Sequence, residues 1–252
     1  MSEGLNDYWV DLHVHTVLSP CAELEMGARG IVERAREARV DALAISDHNT
    51  CDNVRAIENL ARGNPIILPA LEIQSAEDIH AVTIFPRIEE AENFKEWLWK
   101  KMPPVKNDPD VFGYQVVIDS NDDIVRMEDI LLVQGAGYDI DTIVARANIM
   151  GAITIMAHAD RHAFAYPAVL GTMPEDYPVG AIELSRRVDS DEASLWRAKY
   201  PSRTFLRSSD SHTLDTISRS NCTKMRMSRP SFDEIVMALR GKNMRRVYWP
   251  WG

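Results

Sequence analysis

The sequence predicts an α/β fold in which helices pack outside a mostly parallel sheet, either a barrel or a doubly wound sheet. Two observations support this prediction. Short apolar runs alternate with amphipathic helical patterns along the chain, and a length of 252 residues suits one α/β unit. No internal repeat, low-complexity tract or clear linker divides the sequence. We therefore expect residues 1–252 to form a single domain.

Four strands and three helices are predicted in the first hundred residues. The strands lie at 8–14, 42–46, 66–73 and 79–85, and the helices at 31–38, 52–62 and 89–100. Asp52 is the predicted N-cap of the second helix, and Gly63 ends that helix. Only a short connection separates the third and fourth strands, which predicts a β-hairpin.

The segment 101–129 breaks this alternation. Its first part, 101–113, is rich in Pro, Asp and Lys and reads as a loop. Residues 114–118 and 123–125 flank an Asn–Asp turn, which predicts a second hairpin. We therefore interpret 101–129 as a hairpin-containing insertion in the α/β fold.

Strands and helices alternate again after this segment. Helices are predicted at 140–150, 191–199 and 232–240, and strands at 152–156, 181–184, 203–206, 223–227 and 245–249.

Composition narrows the classes of function. The net charge is −10, so we expect no broad surface for duplex nucleic acid, although a local anion site is compatible with that charge. The three cysteines are far apart and form no CxxC, which is typical of a reducing cytoplasm. We expect neither a signal peptide nor a membrane span. The sequence gives no indication of protein partners.

Six of the seven histidines lie at or near predicted strand ends. They are His13 and His15, His48, His80, His158 and His212. His13 and His15 are two residues apart on a strand and point to the same face, as do Asp210 and His212. Carboxyl ends of strands are where sites assemble in α/β barrels, so these side chains are expected to converge. A set of imidazoles and carboxylates suits divalent ions of zinc, manganese or iron, and several such residues together indicate a multinuclear site.

The motifs that carry these residues resemble those of the polymerase and histidinol phosphatase (PHP) family. The matching segments are DLHVHT (11–16), SDHNT (46–50), LEI (71–73) with His80, AHADR (157–161) and SDSH (209–212). Their order and spacing match over nearly the whole chain, and the small stand-alone phosphoesterases of the family resemble it most. The resemblance implies a distorted (β/α)7 barrel with up to three metal ions at its C-terminal face.

The resemblance also implies a role for each metal ligand. His13, His15, Glu72 and Asp210 would bind the first ion. Glu72 would bridge to a second ion, which His80 and His158 would also bind. His48 and His212 would bind a third ion.

The loop after the HxH pair departs from the family pattern. Relatives place Asp or His in this loop as a further ligand of the third ion, whereas this chain has Pro20 and Cys21 there. Cys21 is one candidate for that ligand and Glu23 is a substitute. A small buried thiol is the alternative interpretation of Cys21.

Further polar residues surround these motifs. Asp47 is expected to orient a ligand imidazole or the loop of Ser46, and Asp160 could do the same, because ligating histidines usually donate their other N–H to a carboxylate or carbonyl. Arg161 is expected to bind a phosphate, and Arg186 and Arg187 form a second candidate pair. His162 would contact the substrate or protonate a leaving group, with a solvated loop histidine as the alternative.

These observations predict a metal-dependent phosphoesterase in which a metal-bound hydroxide attacks phosphorus, with Arg161, Asp210 and His212 in the catalytic machinery. By resemblance, the substrate is a small phosphate ester: a nucleotide, a nucleoside 3′,5′-bisphosphate or the end of a short oligonucleotide. The alternatives are a histidinol-phosphate-type monophosphatase, an amidohydrolase and a non-catalytic metal-bound PHP module.

Overall fold

The apolar runs form a nine-stranded mixed sheet in the computed structural model, which describes residues 4–252. The described residues form eleven strands, of which β5 and β6 make a separate two-stranded sheet and the other nine make the mixed sheet. They are β1 (Asn6–Val14), β2 (Ala42–Ile45), β3 (Ile66–Gln74), β4 (His80–Ile84), β5 (Val116–Ile118), β6 (Ile124–Met127), β7 (Ile153–Met156), β8 (Ala181–Leu184), β9 (Phe205–Arg207), β10 (Thr223–Met227) and β11 (Arg246–Val247). The helices are α1 (Ala28–Ala38), α2 (Val54–Ala61), α3 (Ile88–Trp99), α4 (Pro109–Phe112), α5 (Ile140–Ile149), α6 (Tyr166–Val169), α7 (Ser190–Lys199) and α8 (Phe232–Leu239). Two short 3-10 helices, Leu214–Thr216 and Arg219–Asn221, follow β9.

Seven of these strands make a nearly closed barrel. Their order is β1-β2-β3-β4-β7-β8-β9, and the segment after β9 returns to β1 through a parallel bridge between Ser211 and Val14. β1 to β3 are parallel, as are β7 to β9. β10 and β11 continue the sheet antiparallel beyond β1. The predicted distorted (β/α)7 barrel is therefore confirmed.

β4 is the strand that distorts the barrel. It runs antiparallel to both β3 and β7, and the short connection 75–79 joins it to β3, as the hairpin prediction required. Because β4 is reversed, its first residue lies beside the last residues of β3, and Gln74 pairs with His80. The reversal brings His80 to the edge where the parallel strands end.

Helices cover the outside of the sheet through apolar contacts. The largest cluster packs α1, α2 and α3 against β2 and β3, with Ile31, Ile57, Phe94 and Ile73 all buried. A second cluster joins residues of β1, β3, β7 and β9 to one face of α8. Burial of such side chains stabilises the barrel and fixes where its strand ends lie.

The segment 101–129 contains α4 and the separate two-stranded sheet β5–β6. It packs against the loop after β1, where the Val116 N–H donates to the Val17 carbonyl. The predicted second hairpin is therefore present, beside the end of β1.

The helix starts show where sequence signals were incomplete. The predicted Asp52 N-cap is wrong, because α2 begins at Val54 with Asn53 at the cap position. The Asp52 carboxylate instead forms ion pairs with Lys95 and Arg126. The sequence also did not predict α4 or α6, each of four residues. No helix in the range 4–252 has the length and apolar character of a membrane span.

Candidate metal centre

Six histidines and two carboxylates converge at the carboxyl edge of the barrel. β1 ends beside His13 and His15, His48 follows β2, and His158 follows β7. β3 carries Glu72, β4 begins at His80, and Asp210 and His212 follow β9. All eight residues are buried or partly buried. The residues that the sequence identified as separate motifs thus form one cluster.

Glu72 lies at the middle of this cluster. Its Oε1 atom is 2.9 Å from His80 Nδ1, 3.2 Å from His158 Nε2 and 3.3 Å from His13 Nε2. Its Oε2 atom is 3.0 Å from His48 Nδ1 and 3.4 Å from His15 Nε2. One carboxylate thus faces imidazoles from four strand ends, which is the arrangement expected of a ligand shared between metal ions.

Asp210, in the segment after β9, faces three histidines of the same cluster. Its Oδ1 atom is 3.3 Å from His15 Nε2, 3.5 Å from His13 Nε2 and 3.6 Å from His212 Nδ1. Its Oδ2 atom accepts from Arg161. Asp210 therefore links the histidine cluster to an arginine that is partly open to solvent.

Hydrogen bonds fix the orientation of the first two imidazoles. His13 directs Nδ1 to Glu183 Oε1 at 3.1 Å, and His15 directs Nδ1 to Ser19 Oγ at 3.0 Å. The Ser19 hydroxyl in turn donates to Asp47 Oδ1 at 2.7 Å. Asp47 therefore acts on His15 through Ser19. Each imidazole is held so that its Nε2 faces the cluster.

The donor set fits divalent metal ions. His13 Nε2 and His15 Nε2 lie only 3.1 Å apart. With both Nδ1 atoms directed to Glu183 and Ser19, the two Nε2 lone pairs face each other, so either a proton or a metal ion is needed between them. Within residues 4–252, three further buried polar atoms have no hydrogen-bond partner, which is rare in proteins: His80 Nε2, His158 Nδ1 and Glu183 Oε2. Imidazole and carboxylate are the ligand types preferred by zinc, manganese and iron.

Buried charges shift the pKa values of the cluster in opposite directions. Burial would raise the pKa of Glu72, but His80, His13 and His48 hold it well below its ordinary value. Burial lowers the pKa of His48 well below its ordinary value, and the neighbouring histidines add to this effect. Burial and His15 lower the pKa of His212 to about 4. At neutral pH, Glu72 is thus ionised while His48 and His212 are neutral, the forms that bind metal ions.

His13 and His15 behave differently because they lie nearest the carboxylates. Burial alone would lower the pKa of His13, but Glu183, Glu72 and Asp210 raise it well above its ordinary value. In the same way, Asp210 and Glu72 overcome burial and raise the pKa of His15 to about 9. The cluster therefore attracts protons strongly, and metal ions would compete with protons for these two nitrogens.

Cys21 lies between the two remaining histidines. Its Sγ atom is 3.1 Å from His212 Nε2 and 3.4 Å from His48 Nε2. Burial and Glu72 raise the pKa of the Cys21 thiol to about 12. Glu23, the substitute candidate, has an exposed side chain, and its backbone N–H donates to the His212 carbonyl. The geometry thus favours Cys21 over Glu23 as the partner of His48 and His212.

Two residues of the cluster have left-handed backbones. The φ angles of His158 and Asp210 are 28° and 48°, values that residues other than glycine rarely adopt. The His158 N–H donates to Glu183 Oε1, and the Ser211 N–H donates to the His13 carbonyl. Such strain persists where surrounding contacts impose it, and it concentrates at functional sites.

Two cavities flank the cluster. One, of about 290 Å³, has Gln74, Val133 and Phe164 on its wall. The other, of about 230 Å³, is lined by Ser185, Arg186, Arg187 and Thr213. Arg161, Asp210 and His212 line both cavities. Residues of the cluster, including Glu72 and His80, line the first cavity, which we call the apolar cavity because Val133 and Phe164 form part of its wall. The cluster also borders the second, cationic cavity.

The remaining predicted site residues lie at different distances from the metal cluster: some line its cavities and others do not. Arg186 and Arg187 both line the second cavity. The Asp160 carboxylate accepts from the Ser185 N–H and hydroxyl, and orients that turn rather than an imidazole. His162 is exposed and is absent from the residues that line either cavity.

Glu183 is one residue beside the cluster that was not predicted from the sequence. It is 1% exposed, and it contacts both the His13 ring and the His158 backbone. The available signal was a charged residue inside the apolar strand Ala181–Leu184. Ser19 and Phe164 were also missed, since a serine or an aromatic residue in a loop carries no such signal.

Solved structures show the same fold. No family model and no curated protein matches this chain. The lesion-specific endonuclease PfuEndoQ from Pyrococcus furiosus matches 96% of the chain at 17% identity with a TM-score of 0.69. A two-domain protein from Bacteroides vulgatus, which contains a "predicted PHP-like metal-dependent phosphoesterase", matches 97% at 16% identity with a TM-score of 0.56. The chain spans 58% of the first of these proteins and 65% of the second. These similarities confirm the PHP-like fold.

A third match corrects the expectation about nucleic acid. This match is Endonuclease Q in complex with a 27-mer duplex that has an abasic lesion at the active site. The match includes 96% of this chain and 58% of the Endonuclease Q chain, at 16% identity and a TM-score of 0.70. The expectation that duplex nucleic acid is excluded is therefore wrong. Net charge describes the whole surface, whereas Arg161, Arg186 and Arg187 gather positive charge beside the cluster.

Proposed function

We propose that this chain is a metal-dependent phosphoesterase that hydrolyses a phosphate ester of a nucleotide or of a nucleic acid strand. One observation carries the proposal: six histidines, Glu72 and Asp210 converge at the edge of a PHP-like barrel, with Arg161 bound to Asp210. We further propose that residues 1–252 act as one domain in which 101–129 is an insertion beside the site.

Two or three divalent ions would occupy the cluster. His13, His15, Glu72 and Asp210 would hold one ion, and Glu72, His80 and His158 a second. His48, His212 and Cys21 would hold a third. Such ions lower the pKa of a bound water and neutralise charge on phosphoryl oxygens. Burial of the ligands suits this chemistry, because electrostatic interactions are stronger where water is excluded.

The chain's own residues would bind and orient the phosphate. Arg161 is 45% exposed in its side chain and lines both cavities, so its guanidinium can exchange Asp210 for a phosphoryl oxygen. His212 is neutral at pH 7 because its pKa is lowered to about 4, so it is a better ligand than proton donor. Glu183 and Asp47 hold the imidazoles of the first pair in place.

The flanking cavities support a substrate with more than one recognised group. The cationic cavity offers Arg186 and Arg187 to a second phosphate. The apolar cavity offers the partly exposed ring of Phe164, whose centroid is 4.6 Å from that of His80, to a base or sugar. A nucleoside bisphosphate, an oligonucleotide end or a strand within a duplex carries both features. A small monoester such as histidinol phosphate carries only one phosphate.

A substrate screen tests this proposal. The protein is incubated with Mn²⁺ and a nucleoside 3′,5′-bisphosphate, a short oligonucleotide, a duplex containing an abasic site, histidinol phosphate and an aryl phosphate. We expect hydrolysis of a nucleotide-containing substrate, and loss of at least 100-fold in the Asp210→Ala and His15→Ala variants. Activity confined to histidinol phosphate would indicate the monophosphatase instead. A folded, metal-loaded protein without hydrolysis of any substrate would indicate a non-catalytic module.

Cobalt spectroscopy tests the proposed role of Cys21 independently of activity. With Co²⁺ bound, a thiolate ligand should give an intense sulfur-to-cobalt charge-transfer band in the near ultraviolet, which is absent from Cys21→Ser. Cys51 is buried beneath the helices and provides a control, because Cys51→Ser should retain the band. An unchanged spectrum in Cys21→Ser would exclude the thiolate ligand and leave the other two metal positions intact.

A further inference from the structure

We propose that the protein has a second anion-binding site, which takes the phosphate groups of a polyanion at the edge of the barrel opposite the metal cluster. The site is a cavity of about 530 Å³, whose lining includes Arg197, Arg203, Arg240 and Arg246. We call it the arginine cavity. Its lining also includes Thr204 and residues of β9, α8 and β11.

None of the four arginines forms an ion pair with a carboxylate within residues 4–252. Among the residues that the structure describes, the arginines that pair with carboxylates are others, such as Arg55, Arg126 and Arg245. Arg197 lies over the Trp249 ring at 4.9 Å, and Arg246 lies over the Tyr248 ring at 4.8 Å. Aromatic contacts position guanidinium groups but leave their charge uncompensated.

The Arg203 side chain is held in one position beside the cavity. Its Nη atoms donate to backbone carbonyls of Pro174 and Tyr177, so the side chain is held in place. Its Nε atom is buried without a hydrogen-bond partner. Glu175 and Asp176 act on Arg203 electrostatically but form no ion pair with it in the part of the chain that the structure describes.

The carboxylate near Arg246 is that of Asp7, and other residues bind it. Asp7 forms an ion pair with Lys224 at 2.9 Å and accepts from the Tyr248 hydroxyl at 2.9 Å. Arg240 is exposed at the end of α8. Four arginines without an ion pair among the described residues around one cavity are unexpected in a chain of net charge −10, and they favour a ligand with several negative charges.

The position of the arginine cavity separates it from the metal cluster. Thr204 and Phe205, at the start of β9, line the cavity, whereas Asp210 and His212 follow the end of that strand. Phosphate is the anion that guanidinium groups match best. The two sources of several phosphates are a nucleic acid strand and a free polyphosphate, and we expect the strand because the proposed substrate is of that class.

Binding of a fluorescein-labelled oligothymidylate of about 20 nucleotides tests the site. Fluorescence polarisation is measured with a chelator present, in wild type and in the double variant Arg240→Ala/Arg246→Ala. We expect at least 10-fold weaker binding in the variant. We also expect its slope of log affinity against log salt to be shallower by about 1.4, since each phosphate contact in a single strand contributes about 0.7.

Controls separate this site from the catalytic one. Arg29→Ala/Lys100→Ala removes two other exposed cations and should bind the strand like wild type. Hydrolysis of an aryl phosphate by the Arg240→Ala/Arg246→Ala variant should equal that of wild type. Inorganic tripolyphosphate binding that depends on the arginines and is as tight as strand binding would support the site and identify the free anion as its ligand. Wild-type affinity of the variant for both probes would overturn the proposal.

Discussion

Glu183 shows how a residue outside the cluster determines what the cluster can bind. Its carboxylate holds Nδ1 of His13, so Nε2 of that ring faces Glu72 and Asp210. The same Oε1 atom accepts the His158 N–H, where the backbone is left-handed. One buried carboxylate therefore positions histidines of two different strands.

We expect Glu183→Gln to weaken metal binding by about 10- to 100-fold, as is typical when the hydrogen-bond partner of a ligand is lost. The amide oxygen can still accept both hydrogen bonds, so the loss measures the charge. Titration calorimetry with Mn²⁺ checks the affinity. Glu192→Gln, at an exposed position in the first turn of α7, should bind like wild type. Equal affinity in the two variants would show that Glu183 is only structural.

Asp11 gives a prediction about pH. Its Oδ1 atom accepts the Ser209 N–H, and its Oδ2 atom has no hydrogen-bond partner in the part of the chain that the structure describes. Burial raises the pKa of Asp11 from 3.8 to about 7. Above pH 4 the unfolded chain releases this proton while the folded chain keeps it. The Asp11 contribution to the free energy of unfolding therefore falls as pH rises from about 4 to 7.

The Asp11→Asn variant removes this dependence. Wild type should lose about 2 kcal/mol of its free energy of unfolding between pH 5 and pH 7 through Asp11, and the variant should not. The difference, variant minus wild type, should therefore rise by that amount. Urea denaturation of the metal-free proteins at the two pH values measures the difference. A stability difference that is the same at both values would mean that Asp11 ionises normally in the folded state.

The sequence predicted the cluster because its residues are chemically conspicuous. His13 with His15, and Asp210 with His212, stand out as pairs, and the strand ends where they occur are predictable. It did not predict the partners that orient them. Ser19 acts on His15 only because the loop after β1 folds back, a contact that no local pattern encodes.

At the scale of elements, the hairpin β5–β6 does more than extend from the barrel. Asp122 lies in the turn of this hairpin. Its carboxylate accepts from the N–H groups of Ala28 and Arg29 and so caps α1. Gly27, at the cap position, has no side chain that could do this. The predicted insertion therefore completes a helix of the barrel, although the two are about 90 residues apart in sequence.

Loss of this cap should destabilise the fold. We expect Asp122→Gly to lower the free energy of unfolding by about 1–2 kcal/mol, the usual worth of a cap. Glycine is chosen because the φ angle of Asp122 is 68°. Asp122→Asn keeps an acceptor oxygen and should lose less. Urea denaturation compares both with Asp123→Gly, a neighbour whose side chain is exposed. Equal losses at the two positions would argue against capping.

Most element types were predictable, because apolar periodicity follows directly from burial on one side of a helix or strand. β8 was predicted to the residue, and the β3–β4 hairpin was predicted from its short connection. The start of α2 was not, because Asp52 has the sequence preference of a cap while its carboxylate is engaged by Lys95 and Arg126. Long-range ion pairs overrode the local signal.

At the scale of the whole molecule, the metal centre is expected to contribute to stability. The cluster draws its residues from six barrel strands or their ends, so metal ions that bind only the folded chain would stabilise all of them together. At 100 times the dissociation constant, one site adds about 2.7 kcal/mol.

We expect removal of metal by a chelator to lower the melting temperature by about 5–10 °C for a chain of this size. Differential scanning calorimetry with and without Mn²⁺ measures the shift. The His80→Ala variant should show a smaller shift than wild type. Identical melting temperatures with and without metal would mean that the cluster does not bind it in the folded state.

The reversed strand β4 also has a consequence for the order of folding. Glu72 and His80 meet across a hairpin only eight residues apart, whereas His13 and Asp210 meet only when the two ends of the barrel close. Contacts between residues close in sequence form fastest, since little chain entropy is lost in closing a short loop. We therefore expect the Glu72–His80 pair to assemble early, and the first and last barrel strands to join it late.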